Sequence, residues 1–475
     1  MKTRKWALGT ALLLTALSSC VPSREMREAN RAVPETYSMS QADTLNSAAL
    51  SWRDFFGDLK LRALIDTALV RNQELNIMLQ QVDVAQNEIR ARKGEYLPFV
   101  NLQAGAEVEK VGRYTRNGAV EEQLPIREGE EFPDPLPNYR AGIVASWELD
   151  IWKKLRNSKK AAVYEYLASV EGKNFMVTNL VAEIASAYYE LVALDNQLAF
   201  IEKNLEIQQN ALAIVRLQKQ AARATELAVR RFEAEVLKNQ SHKFDIQQQI
   251  VETENRINFL IGRQPRHIDR NSDQFIEMSL DTVYSGIPAQ LLQNRPDIRR
   301  AEFELEAARL DVKVARANFY PSLGIQAGVG LEAFKPQFLT TTPESVIFGV
   351  VGDVVAPLIN RNALKAAYNT ASDRQIQAVY EYEKTILGGY IEVANQLSNI
   401  ENLRNSYQRK YNQVGALTES IELSTRLFQS ARIEYLEVLL TQREALEARM
   451  EMVETKKFQM LARIDLYHAL GGGWN

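Results

Sequence analysis

The sequence predicts a mainly α-helical protein with a small β part, built as two copies of one plan. Proline, which breaks helix interiors, is absent from residues 138–264 and again from residue 358 onward. Within these windows apolar residues recur at alternating steps of four and three, as in Leu180, Ile184 and Ala187. This 3.5-residue repeat predicts long helices that supercoil against one another.

The internal duplication follows from stretches that recur at a nearly fixed distance. The segment EYLPFVNLQAGAEVE (95–109) resembles FYPSLGIQAGVGLE (319–332) at an offset of 223 positions. Farther along, Glu183 matches Glu392 at an offset of 209. The offset falls because the first copy carries about fourteen extra residues in the polar, Pro-rich segment 110–138. We predict a loop there, since a duplicated fold tolerates insertions in loops.

Each copy contains two predicted strands, of which the first has two distinct faces. Val100, Leu102 and Ala104 lie on one side of the first strand, and Asn101 and Gln103 lie on the other. The four strands are predicted at about 99–109, 139–149, 322–332 and 346–356, the last with less alternation. A soluble sandwich would show the same alternation. Strands of about eleven residues also suit an outer-membrane β-barrel, which needs about 9–11.

The other predicted elements follow from the helical periodicity and the positions of proline. Shorter helices are predicted at 73–95 and 297–319, and long helices at about 153–222, 225–262, 361–430 and 433–470. The organisation is a signal peptide at 1–19, a linker at 20–50, a first repeat at 51–262, an equatorial connector at 263–287 and a second repeat at 288–475. A helix of about 70 residues reaches about 105 Å. These helices carry too many charges to enter lipid, so we expect them to project from the membrane.

Four strands in one chain cannot close a barrel, because known barrels begin at eight strands. The sequence therefore predicts that several chains share one outer-membrane β-barrel, with four strands from each chain. The apolar strand face would meet lipid and the polar face a wet interior. A shared β-barrel that continues into a periplasmic α-helical barrel would enclose a continuous channel. The sequence therefore predicts a conduit.

The N-terminus predicts export and lipidation. Three basic residues precede an apolar run from Trp6 to Leu17, which is shorter than the ~20 residues that span a bilayer. This layout predicts a signal peptide. The run ends in LSSC, which resembles a bacterial lipobox and predicts cleavage before Cys20 and acylation of its sulfur. Val21 follows rather than Asp, which gives no reason for retention in the inner membrane. The alternative is a signal peptide with an incidental cysteine.

Composition excludes several classes of function. Lys and Arg number 57 against 60 Asp and Glu, a net charge of −3, so we expect no nucleic acid partner. Three scattered histidines and one cysteine make a metal site or a disulfide framework unexpected. There is no nucleophile elbow, phosphate loop or pair of acids in a predicted cleft. We therefore predict no catalytic residues, no enzyme activity and no cofactor apart from the covalent lipid on Cys20.

Several stretches carry a resemblance to a known family. They are WRDFFGDLKLRALIDTALVRN (52–72), SWELDIWKKLR (146–156), IPAQLLQNRPDIRRAEFELEAA (287–308), ARANFYPSLGIQAG (315–328), YLEVLLTQREAL (435–446) and LYHALGGGW (466–474). Together they resemble the TolC-like outer-membrane efflux proteins, in particular the OprM/NodT-type lipoprotein branch. The resemblance covers about residues 50–474.

The resemblance implies the exit duct of a tripartite efflux system. It implies a homotrimer with a twelve-stranded barrel and a twelve-helix periplasmic tunnel, which docks onto a periplasmic adaptor and an inner-membrane pump of the RND or ABC type. Two alternatives remain at this stage. One is the outer-membrane component of a type I-like polypeptide secretion system. The other is a coiled-coil structural envelope lipoprotein, which explains Cys20 and the heptads but not the four strands.

The resemblance also implies a periplasmic aperture where the long helices turn. The matching residues are Thr225, Glu226, Leu436, Glu437, Leu440 and Arg443. Glu437 takes a family acidic position, whereas Leu440 stands where many members have a second Asp. We expect Arg443 to hold the aperture shut through polar links to a neighbouring helix, and Leu436 and Leu440 to form an apolar collar. The alternative for each charged residue is a solvated charge on a helix end.

Overall fold

The computed structural model describes residues 21–37, 45–126, 128–278, 282–359, 361–430 and 432–474. The predicted signal peptide and Cys20 lie outside these residues. The described chain is mainly helical and contains one four-stranded antiparallel sheet. The fold class predicted from the sequence is thereby confirmed for the single chain.

Both halves share a core succession of a helix, two strands and two long helices, and the short helices around it differ. The first half contains helices α1 (Trp52–Phe55), α2 (Leu59–Arg71) and α3 (Gln73–Tyr96), strand β1 (Phe99–Glu109), helix α4 (Arg116–Gln123), strand β2 (Leu136–Leu149), and helices α5 (Lys154–Gln220) and α6 (Glu226–Leu260). The second half contains helices α7 (Leu291–Asn294) and α8 (Pro296–Ala317), strands β3 (Ser322–Ala333) and β4 (Val346–Val355), and helices α9 (Asn362–Gln429) and α10 (Tyr435–Ala469). Short 3-10 helices occur at Ser47–Ala49, Pro288–Gln290 and Pro336–Phe338.

The long helices are slightly shorter than the sequence predicts. Helices α5 and α9 have 67 and 68 residues, and α6 and α10 have 35 each. Helix α5 stops because Ala222 adopts a left-handed conformation, with φ 56°. The amide of Arg223 then donates to the carbonyl of Gln218 at 2.8 Å. A left-handed residue with this hydrogen bond is a common way to end a helix.

The predicted loop at 110–138 is only partly a loop, which corrects the prediction from the sequence. It contains the eight-residue helix α4, and β2 begins at Leu136 rather than near residue 139. The hydroxyl of Thr115 accepts a hydrogen bond from the amide of Gly118 at 3.2 Å and so caps α4. Leu136 is in register with Glu109 and Ser146 with Phe99, so every residue of β1 is paired with β2.

The chain divides into two compact units. The first comprises Asp83–Tyr166, Phe303–Val379 and the N-terminal residues to Glu28, and it contains the sheet. The strand order is β1-β2-β3-β4, with every neighbouring pair antiparallel. Within the described residues β1 and β4 each pair on one side only, so both edges of the sheet are open.

The second unit comprises Ala29–Val82, Leu167–Glu302 and Tyr380–Asn475. Its largest apolar cluster joins α1 and α2 to α5 and α10. The rings of Phe55 and Tyr467 stack with centroids 3.9 Å apart. The Tyr188 hydroxyl donates to Asp58 at 2.7 Å, at the start of α2. These contacts fix the segment before α3 on the long helices.

Strands β2 and β3 approach so closely that only glycine fits at one cross-strand pair, Gly142 and Gly330. A Cβ on Gly330 would lie 2.6 Å from the carbonyl oxygen of Ala141 and 2.8 Å from the Cα of Gly142. We expect Gly330→Ala to destabilise the sheet by about 1–3 kcal/mol, because the two backbones must separate. Gly349→Ala is the matched control, since a Cβ there meets nothing within 4 Å. The unfolding midpoints of the purified variants measure the difference, and equal midpoints would contradict the close approach.

Candidate functional site

One face of the sheet is apolar across all four strands. The register aligns a row made of Leu102, Ile143, Val329 and Phe348. Leu102 is 81% exposed and Phe348 is 85% exposed. A contiguous apolar surface of this kind, left uncovered within the chain, is typical of a surface that contacts lipid or another molecule.

The opposite face carries polar residues and glycine. The adjacent row consists of Gln103, Gly142, Gly330 and Ile347. On the same face the amide of Asn138 donates to Glu332 Oε1 at 2.5 Å. Strand β4 differs because Asp353 is its only polar residue and both of its sides are otherwise apolar or glycine, which agrees with its weaker predicted alternation. The first three strands therefore form a wall with one apolar and one polar side.

In the hairpin between α5 and α6, Thr225 caps a helix and Glu226 forms ion pairs. Thr225 is the N-cap of α6, and its hydroxyl accepts from the Ala228 amide at 3.2 Å. The Glu226 carboxylate forms ion pairs with Lys219 and, at 2.9 Å, with Arg230. The hydrogen bond from Lys219 lowers the pKa of Glu226. Glu226 is thus a paired charge on its own hairpin rather than an isolated one.

The hairpin between α9 and α10 presents the other predicted aperture residues. Glu437 is exposed in the first turn of α10. Leu436 and Leu440 are half-buried, and Leu436 packs against an apolar cluster that includes Val229 and Phe232. Leu440 is not part of that cluster. The structure therefore assigns different surroundings to the two leucines within one chain.

Arg443, two turns into α10, has an unmet hydrogen-bonding requirement. Its Nε is buried and has no hydrogen-bond partner among the described residues. The neighbouring Gln442 has the same property at Oε1. Buried polar atoms are nearly always hydrogen-bonded in native proteins. Two neighbouring residues that each have a buried polar atom without a hydrogen-bond partner therefore need an explanation. A partner supplied from outside the chain is one such explanation.

The two hairpin tips border a cleft that sequence reasoning did not predict. It has a volume of about 1030 Å³, and its lining includes Thr225 and Leu436. The ring centroid of Tyr435 lies 4.8 Å from that of Phe232 and 4.5 Å from that of Phe428. Burial raises the pKa of Tyr435 to about 12. These three aromatic residues come from three different helices, so no local pattern connects them.

The described residues offer little to support chemistry. They contain no group of three or more His, Cys, Asp or Glu side chains that could hold a metal ion. No helix among them combines the length and hydropathy needed to cross a membrane. The distinctive features are therefore the two-sided sheet and the hairpin tips.

Comparison with known proteins identifies one family. The family model for the outer membrane efflux protein matches residues 64–263 and 287–472, one segment in each half of the chain. The two matched segments contain the strands and the long helices of both halves.

Individual relatives match the chain from end to end. The cation efflux system protein CusC of Escherichia coli is 27% identical over 466 residues, which cover 97% of each chain. The pyoverdine export outer membrane protein OpmQ of Pseudomonas aeruginosa is 26% identical over 478 residues, covering 100% of this chain and 98% of OpmQ. The open-state structure of the MtrE outer membrane channel of Neisseria gonorrhoeae superposes with a TM-score of 0.84 at 23% identity, covering 96% of this chain and 99% of MtrE.

Proposed function

The chain belongs to the outer membrane efflux protein family, and we propose that it forms the outer-membrane exit duct of a tripartite efflux system. The observation that carries the proposal is the two-sided sheet, in which Leu102 and Gln103 lie on opposite faces in rows that cross all four strands. Such a wall separates lipid from water. The family to which the chain belongs consists of outer membrane efflux proteins.

The duct is a homotrimer in this proposal. Strands β1 and β4 have open edges, and open edges are not tolerated in the hydrocarbon region of a membrane. Pairing β1 of one copy with β4 of the next removes every edge. Three copies supply twelve strands, which exceeds the minimum of eight for a barrel.

The partners in this proposal are a periplasmic adaptor and an inner-membrane pump of the RND or ABC type. The relatives CusC and OpmQ are named for the export of cations and of pyoverdine. These two cargoes differ in size and chemistry. We therefore assign the choice of cargo to the pump and adaptor rather than to the duct. Polypeptide secretion requires only a different pump at the same duct.

The turns of the long helices form the aperture in this proposal. Three copies of Glu437 line the aperture, and Leu436 and Leu440 form an apolar collar beside it. Arg443 forms a hydrogen bond with a neighbouring chain. The unpaired Nε of Arg443 supports an intermolecular partner. Thr225 and Glu226 support the aperture from the other hairpin, where Lys219 and Arg230 neutralise Glu226.

Conductance of the purified protein tests the proposed function. Protein extracted from outer membranes is added to a planar lipid bilayer under voltage. We expect discrete, long-lived current steps of uniform size, because each trimer adds one pore. A protein that incorporates into the bilayer, as shown by its flotation with lipid vesicles, and yet carries no current would contradict the duct.

We propose that Cys20 carries the covalent lipid. Residues that follow it are anchored on the sheet-bearing unit, where Val21 packs against a cluster containing Phe319 and Tyr368. The Arg24 amide also donates to the Tyr368 hydroxyl at 2.8 Å. Cys20→Ala should abolish incorporation of labelled palmitate while part of the protein still reaches the outer membrane, because the barrel also holds it. Label that persists on this variant would refute acylation at Cys20.

A further inference from the structure

Two turns join strands to long helices at the same end of the sheet. One consists of Asp150–Lys153, between β2 and α5, and the other of Ala356–Ile359 and Arg361, between β4 and α9. Because β2 and β4 are each antiparallel to β3, they run in the same direction, and their carboxyl ends lie at one edge of the sheet. The two turns therefore lie beside each other.

Both turns expose large apolar side chains. In the first turn Ile151 is 52% exposed and Trp152 is 44% exposed. In the second, Leu358 is 70% exposed and Ile359 is 89% exposed. They continue the exposed apolar face of the strands, which ends in Val354 on β4. Adjacent exposed residues of this size mark a surface that another apolar phase covers.

The Trp152 side chain is held in place rather than mobile. Its ring stacks on Tyr320 with centroids 4.6 Å apart. Its indole Nε1 donates to the carbonyl of Pro321 at 2.7 Å. A tryptophan with a bonded polar end and an exposed ring is typical of residues at the boundary between water and lipid.

A pocket lies between the two turns. Its volume is about 240 Å³, and its lining includes Trp152 and Lys154 from the first turn and helix, and Ala356 and Pro357 from the second turn. Tyr320 and its neighbours between the end of α8 and the start of β3 complete it. We call this cavity the base pocket. Its size suits a polar headgroup rather than a whole lipid.

The charges around the base pocket leave an excess of positive charge. Glu148 is paired with Lys154 at 2.5 Å, and Asp150 with Arg156 at 3.1 Å. Asp150 also accepts from the amides of residues 155 and 156, so it occupies the N-terminus of α5. Lys153, which is exposed, and Arg361 belong to the two turns rather than to the pocket lining, and they add positive charge beyond these pairs.

The two additional cations have unusual local features. Lys153 has a left-handed backbone with φ 59°, and such strained positions cluster at functional sites. The Arg361 guanidinium lies over the Phe319 ring at 5.0 Å and donates to the Phe319 carbonyl at 3.4 Å. Its Nε is buried without a hydrogen-bond partner among the described residues. One donor of Arg361 thus remains for another acceptor.

We propose that the two turns bind an anionic phospholipid of the inner leaflet of the outer membrane. Its phosphate lies between Lys153 and Arg361, its headgroup enters the base pocket, and its acyl chains lie against Leu358 and Ile359. The proposal rests on the outer-membrane location in the proposed function. Beyond that function, the proposal specifies the class of lipid that is bound and the residues that select it.

Quenching by brominated lipids tests the proposal, because Trp152 lies in the site. The protein is reconstituted with brominated phosphatidylglycerol or brominated phosphatidylcholine, and the Trp152 signal is the difference between the parent and Trp152→Phe. We expect the anionic lipid to quench this signal at a lower mole fraction. Lys153→Asn, which keeps a residue that tolerates left-handed backbone, and Arg361→Gln should each reduce the preference about fivefold. Lys384→Gln, the same charge change farther along α9, should leave it unchanged.

Each outcome bears on a different claim. Equal quenching of Trp152 by both lipids, or a preference that survives both substitutions, would overturn the anionic site. A tryptophan placed at Leu102 on the apolar strand face serves as a second reporter. If brominated lipid quenches neither Trp152 nor the reporter at position 102, the sheet is not in lipid and the proposed function itself fails. Quenching at position 102 without quenching of Trp152 would overturn only the inference about the turns.

Discussion

Arginine at Leu102 should prevent most of the protein from assembling in the outer membrane, whereas arginine at Gln103 should be tolerated. Leu102 belongs to the exposed apolar row that continues through Ile143, Val329 and Phe348. Arginine on a lipid-facing strand position costs about 2–4 kcal/mol near the bilayer midplane. The proposed trimer would carry this cost three times. Gln103 lies on the polar face, where the arginine side chain enters water.

The second repeat provides an independent pair of variants. Ile325 pairs with Trp147 on the apolar face, and Gln326 pairs with Ser146 on the polar face. We expect Ile325→Arg to impair assembly and Gln326→Arg to alter only the lumen. The yield of heat-modifiable oligomer in isolated outer membranes measures assembly. Equal yields from all four variants would mean that the sheet is not in contact with lipid.

Substitution of Arg443 by alanine should enlarge the current through each pore. The Nε of Arg443 is buried and has no hydrogen-bond partner in the part of the chain that the structure describes, as expected if its partner belongs to another copy. In the proposed trimer, Arg443→Ala would remove that link from three interfaces at once, so the aperture should open wider. Planar-bilayer recordings should show a higher single-channel conductance than the parent.

Glu437→Ala tests the charge at the same aperture. In the proposed trimer, three Glu437 carboxylates would lie close to one axis and attract multivalent cations, so the parent should be blocked by a trivalent lanthanide ion. The variant should need about tenfold more of the ion for half-block, which corresponds to about 1.4 kcal/mol of lost attraction. Glu447→Ala is the control, because Glu447 is an exposed acid farther along α10. Parent-like conductance and block in both aperture variants would locate the constriction elsewhere.

The strands and long helices were predictable because their signals are local and periodic. Alternation between Val100 and Gln103 identifies β1, and the absence of proline identifies α5 and α9. The start of β2 was missed because Leu136-Pro137-Asn138 lacks alternation and Pro137 cannot donate a backbone hydrogen bond. Helix α4 was missed because eight residues show no apolar stripe, and its Thr115 cap is the main signal.

The hairpin tips were predictable only in part. The turns appear in the sequence where the long periodic segments end, and Thr225 suits an N-cap. Contacts between helices distant in sequence have no local signal. The contact of Phe232 with Tyr435 is an example, because it joins the two halves of the chain. The ion pair of Glu226 with Lys219 spans only one turn, but no periodic pattern predicts it either. Resemblance to a family indicated the positions, but packing determines which of them are paired.

The accessibility of single cysteines along β1 tests the central claim most directly. Cys20 is the only cysteine in the sequence, and its acylated sulfur would not react. Cysteines are placed one at a time at residues 100–104, and isolated outer membranes are treated with a water-soluble maleimide. A wall between lipid and water predicts that positions 101 and 103 react while 100, 102 and 104 do not. Uniform reaction at all five positions would contradict the two-sided wall, and with it the exit duct.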